Sequence, residues 1–191
     1  MSSPAVIAAG GLTLIRAAGG GHRIELRDDA GAGALIARLE SIEPGDAVAP
    51  DSVLKDSANW PFSPPVQEWH DETRGSATVL MAVGRAGRSH WSLSCEVSPD
   101  GLLAFDVAAR ISEPPVRLGS SYRLLDGAPQ QISAERLQLA DGWQFTVDSL
   151  TTQLRYDVAS RTITLRPVIE RKSPWPHTVR WTYVIETRPT S

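Results

Sequence analysis

A chain of 191 residues with 41% hydrophobic and 21% charged side chains has the make-up of a single globular domain. At this length folding buries roughly 70% of the surface the open chain exposes, so a substantial core is expected. A net charge of −3 offers no basic face to nucleic acid or to an anionic membrane. The lone cysteine, Cys95, rules out an intramolecular disulfide and speaks against a cysteine-based zinc site.

Residues 1–21 carry no cationic stretch ahead of their apolar side chains, and Gly10 and Gly11 interrupt the run. Neither a secretory signal nor a membrane span is expected there, and a cytoplasmic address is the default. Beyond this point alternation dominates. Residues 22–27 (HRIELR) and 34–42 (ALIARLESI) read as strands joined by the turn-rich DDAGAG. Residues 43–75 then break the rhythm and read as one long irregular connection. Connections of that length are usually functional or disordered, and this one holds Trp60, Phe62 and Trp69, which need something to pack against. Within it, residues 50–58 would support a helical turn or two.

Strand patterns resume at 76–84, 90–97 and 102–111. The last two are joined by Ser98-Pro99-Asp100-Gly101-Leu102, whose Pro and Gly suit a three-residue hairpin loop. If Ser98 faces Leu102, Cys95 opposes Phe105, Leu93 opposes Val107 and Trp91 opposes Ala109, all apolar or small. The other face then pairs Ser94 with Asp106, Ser92 with Ala108 and His90 with Arg110. A slip of one residue would set apolar against polar throughout, so the pattern selects its own register. Further strands are predicted at 116–125, 142–147, 153–158, 161–169 and 178–187; residues 132–140 fit a short helix or a strand. Leu154, Tyr156 and Val158 should face Ile163 and Leu165 across a hairpin. In the last strand Val179, Trp181, Tyr183 and Ile185 point one way, with Val184 interrupting the polar face.

Ten to twelve short alternating strands predict an all-β, antiparallel β-sandwich of two packed sheets over residues 1–191, with a closed or partly open β-barrel as the alternative. The strand rhythm resembles that of β-sandwich carbohydrate modules and of mutarotase-type supersandwiches. The likeness is one of architecture, which does not give function, and the chain is short for a complete supersandwich.

Trp-Pro occurs twice, at Trp60-Pro61 and Trp175-Pro176, each time near a histidine. Indoles stack on the flat C–H faces of sugar rings, and imidazole and guanidinium groups bind hydroxyls. The leading expectation is therefore a module that binds a polar small molecule, carbohydrate above others. Trp60, Trp69 and Trp175 would stack on it, while His70, His90, Arg110 and His177 make directional contacts. The competing reading is that the tryptophans plug the open end of the core and that His90, Ser92, Ser94, Glu96, Asp106 and Arg110 form an ordinary solvated face.

A second function is an acid–base enzyme acting on a sugar or polyol, with His70 or His177 working beside Glu68 or Glu96. A third is a docking domain whose aromatic loops hold a protein partner or a second copy of the chain. No metal site and no cofactor are expected: the four histidines are scattered, no phosphate-binding glycine loop opens a helix, and no Gly-x-Ser-x-Gly elbow occurs. Cys95 falls on a core face and is expected to be a buried, inert thiol.

Overall fold

The computed structural model describes residues 6–17, 20–28, 33–42, 60–99, 101–140, 142–169 and 174–187. The segment 50–58, for which helical turns are expected, lies outside them. Among the described residues there is no helix, and so none long and apolar enough to cross a membrane.

Among the described residues fifteen strands form two antiparallel sheets packed face to face. The first sheet holds β1 (Val6–Ala9), β2 (Leu12–Arg16), β3 (His22–Arg27), β4 (Leu35–Ser41), β9 (Ser120–Asp126), β13 (Thr152–Asp157) and β14 (Thr162–Pro167) in the order β1-β2-β3-β4-β9-β14-β13. The second runs β10-β11-β12-β15-β8-β7-β6-β5. Its members are β5 (Glu68–Arg74), β6 (Ala77–Ala86), β7 (Ser89–Val97), β8 (Leu103–Ile111), β10 (Gln130–Gln131), β11 (Arg136–Ala140), β12 (Trp143–Val147) and β15 (His177–Thr187). Among the described residues neither sheet closes on itself, so the fold is a β-sandwich and not a closed barrel.

The core lies between the layers. Period-2 alternation sends Ile24, Leu26, Leu39, Tyr122, Leu124, Ile163 and Leu165 inward from one sheet. The other sheet contributes Trp91, Leu93, Phe105, Val107, Phe145, Trp181, Tyr183 and Ile185. Burial of this apolar surface, at roughly 25 cal/mol per Å², is the main force holding the layers together. The β7–β8 hairpin has the expected register, with His90 opposite Arg110 and Cys95 opposite Phe105. Cys95 is buried in the core as a free thiol. Leu154 and Tyr156 face Leu165 and Ile163, whereas Val158 falls in the turn and is exposed.

The connection over residues 43–75 differs from expectation in its second part. Residues 60–67 are irregular, but Glu68–Arg74 form β5, the edge strand paired with β6. The 60–67 segment is tied down at several points. Ser63 Oγ donates to the Ser121 carbonyl at 2.7 Å and accepts from the Ser121 amide at 3.2 Å, continuing the β9 ladder by side chain. The Gln67 amide donates to the Val83 carbonyl at 2.9 Å. Between these anchors the backbone passes so close to β6 that a Cβ on Gly84 would lie 1.9 Å from the Pro65 carbonyl oxygen. Only glycine admits that approach. Gly84→Ala is expected to cost about 2–3 kcal/mol by overpacking, read as a lower urea midpoint, and to speed hydrogen exchange at the Gln67 amide. An unchanged midpoint would mean that the segment is not seated on β6.

Candidate functional site

The outer face of the eight-stranded sheet carries a row of polar residues at one end. Register places Arg85 of β6 opposite His90 of β7, His90 opposite Arg110 of β8, and Arg110 opposite Thr178 of β15. Strands lie about 4.8 Å apart, so the imidazole is flanked by a guanidinium-bearing strand on each side. All four side chains are exposed. Their inward neighbours Trp91, Ala109 and Val179 are buried, which fixes the facing of the row.

Beside this row a cleft of about 280 Å³ opens at the β5–β6 edge. Gln67, Glu68, Arg85 and His90 give it both donors and acceptors, and Val83 gives it apolar wall. The Arg85 Nε–H donates to the Gly87 carbonyl at 3.0 Å and the Gln67 side-chain Nε2 donates to the Arg85 carbonyl at 3.2 Å, so both side chains are held in place. The indole N–H of Trp91 is buried in the core and has no acceptor among the described residues. A buried donor without a partner is uncommon and costly in a native fold.

The two Trp-Pro connections reach the same end of the sandwich. His177, just after the cis peptide Trp175-Pro176, pairs with Ile111 at the end of β8. Six residues beyond Ile111, Arg117 donates to the Trp60 carbonyl at 3.2 Å. The indoles have separate surroundings. Trp60 is only 5% exposed and belongs to the core; as placed, it supports the fold and cannot stack on a ligand. Trp69 points inward from β5, half-buried, with its ring edge-on to His22 at 6.3 Å between centroids. Trp175 packs on His177 at 4.1 Å and is partly open to solvent. The His177 ring is also held by the Pro174 carbonyl, 3.1 Å from Nδ1. His70 points outward from the edge strand, opposite Met81. Of the seven candidate residues, His90 and Arg110 are therefore adjacent, Trp175 and His177 form a second pair at the same end, and Trp60, Trp69 and His70 stand apart.

Arg85 lies one residue past the strand expected at 76–84, across the tight β6–β7 turn from His90, and Gln67 joins the cleft only because residues 60–67 are seated on β6. His22 was legible and passed over: in HRIELR it shares the face of Ile24 and Leu26. It is buried in the core, with Nε2 2.8 Å from the Tyr122 hydroxyl, which is 2.7 Å from the Tyr183 hydroxyl. Trp181 Nε1 donates to Ser120 Oγ at 3.1 Å, and Ser120 in turn bonds Tyr183. One ordering gives each of these four bonds a donor and an acceptor: Trp181 donates to Ser120, Ser120 to Tyr183, Tyr183 to Tyr122 and Tyr122 to His22. Burial holds His22 down to about 4 and pushes both phenols up, so the chain is neutral at physiological pH. It joins the two sheets with satisfied polar groups, the condition under which a buried network is tolerated.

No family model matches the chain, and no curated protein matches it in sequence.

Proposed function

We propose that this β-sandwich binds a polar small molecule, with carbohydrate as the ligand class, at the rim bounded by the 67–68 edge and the Arg85–His90–Arg110 row. The observation that carries the reading is the cleft itself, where Glu68 accepts, Gln67 does both, and Arg85 and His90 donate along one wall. Vicinal hydroxyls, each a donor and an acceptor, match such a mixture.

Tryptophan fluorescence and calorimetry against neutral and acidic mono- and disaccharides test this. Binding near 1 mM or tighter, a free energy of about −4 kcal/mol, is expected for at least one. His90→Ala and Arg110→Ala should weaken it about tenfold, whereas His70→Ala on the neighbouring edge strand should leave it unchanged. A panel with no binder, or equal binding by all three variants, would remove the reading. A second reading, acid–base turnover of the bound sugar, is favoured by one observation: Glu68 and His90 line the same cleft. Glu68→Gln would then abolish turnover while retaining affinity.

A further inference from the structure

The outer face of the opposite sheet holds a second polar depression, with no part in the rim site. Its cavity is about 400 Å³ and is lined by polar side chains alone, chief among them Gln153 and Arg155 of β13 and Thr164 and Arg166 of β14. Register makes Arg155 the partner of Thr164 and Gln153 the partner of Arg166. Arg155 and Arg166 are thus diagonal neighbours across Thr164, about 7–8 Å apart at the backbone, and both are exposed. Among the described residues neither has a carboxylate partner. The one acid lining the depression, Asp157, turns Oδ1 to the Ala159 and Ser160 amides of its own turn, at 2.9 and 3.3 Å.

A smaller cavity of about 80 Å³ shares Thr162, Thr164 and Arg166 with the first. On its far side Arg117 is held with its guanidinium 3.7 Å above the Phe62 ring. Three arginines thus border a continuous threonine-floored groove on a protein whose net charge is −3.

We propose that this groove binds a tetrahedral oxyanion carried by a small phosphorylated or sulfated molecule. Guanidinium groups meet such oxygens in forked, charge-assisted pairs. Two arginines on either side of one hydroxyl donor, Thr164, match the three equivalent oxygens of a phosphate or sulfate ester. A carboxylate fills such a set less completely, having two oxygens. The dimensions suit a small molecule, and the anionic protein as a whole would repel a polyanion such as nucleic acid.

Calorimetry and 1H–15N NMR at low ionic strength, with inorganic phosphate, pyrophosphate and sulfate as separate probes, decide the matter; low salt is chosen because exposed charges are screened. At least one probe should bind and shift the Arg155, Thr164 and Arg166 signals together. Phosphate and pyrophosphate binding without sulfate would assign phosphate esters, and the reverse would assign sulfate esters. Arg155→Gln and Arg166→Gln should each weaken binding at least about tenfold, Arg155→Lys should keep part of it, and Arg74→Gln on the other sheet should have no effect. Failure of all three probes would overturn the proposal, as would equal weakening by Arg74→Gln, which would mark a general charge effect. All four substitutions are at exposed positions, so unchanged melting curves will show that the fold is intact. The rim site is untouched by these variants, and its sugar binding stands or falls separately.

Discussion

Trp181→Ala is expected to destabilise the protein by about 4–6 kcal/mol. Trp181 is fully buried in β15, which lies between β12 and β8 in the interior of its sheet. Its ring is edge-on to Trp91 at 6.0 Å, and its N–H donates to Ser120 Oγ on the opposite sheet. Removing a buried tryptophan costs about 3–5 kcal/mol in transfer and cavity terms, and the lost inter-sheet hydrogen bond adds about 1 kcal/mol. Since domains of this kind are stable by about 5–15 kcal/mol, the variant should unfold at a much lower urea concentration with the same slope. Trp181→Phe keeps most of the volume and loses the donor, so about 1–3 kcal/mol is expected. Should alanine cost no more than phenylalanine, the tryptophan would not be seated between the sheets as described.

The β-sandwich was legible because most strands alternate cleanly. Where one face is buried and the other wet, period 2 marks the strand and its register together, as in β7–β8, where Pro99 and Gly101 also specify the turn. Two elements were hidden for opposite reasons. In β5 the sequence EWHDETR has only Trp69 turned toward the interior and partly covered; an edge strand is wet on both faces and has little to alternate. Its density of charge suits an edge exposed to other chains. The β1–β2 hairpin was masked by composition. Gly10 and Gly11 look like a flexible run, yet both take positive φ (53° and 78°) between the paired residues Ala9 and Leu12, the two-residue turn that glycine pairs favour.

The rim site was half legible. His90 and Arg110 share a hairpin, and local pairing finds them. Arg85 lies opposite His90 across the two-residue β6–β7 turn and is equally local, whereas Thr178 joins the row only because β15 neighbours β8, which no local pattern carries. Trp60 illustrates the converse. A tryptophan between prolines in a connection has the composition of a recognition loop, but Ser63 and Gln67 pin that segment to both sheets and draw its indole into the core.

Acid should unfold this protein earlier than its carboxylates alone would require, and His22 is the reason. Its imidazole is stacked on Phe105 with centroids 5.7 Å apart, meets Trp69 and Tyr122 edge-on, and has Ser41 Oγ accepting its backbone amide. Among the described residues no carboxylate touches the ring, so nothing offsets a charge placed there. Burial lowers it from 6.5 to about 4, whereas in the unfolded chain it titrates near 6.5. With the folded value depressed, the unfolded state binds the extra proton as pH falls, and stability declines from about pH 6.5 down to about pH 4. The full loss is about 3 kcal/mol, about 2 of it already gone at pH 5, before most carboxylates titrate. Protonation would also remove Nε2 as acceptor for the Tyr122 hydroxyl, so the inter-sheet chain loses its terminus in the same step. Urea denaturation at pH 7.0, 6.0 and 5.0 should show this decline in the native sequence. His22→Gln should start lower at pH 7 and then hold nearly level across that interval. A variant declining as steeply as the native sequence would assign the acid sensitivity to other groups and leave the buried imidazole without a part in it.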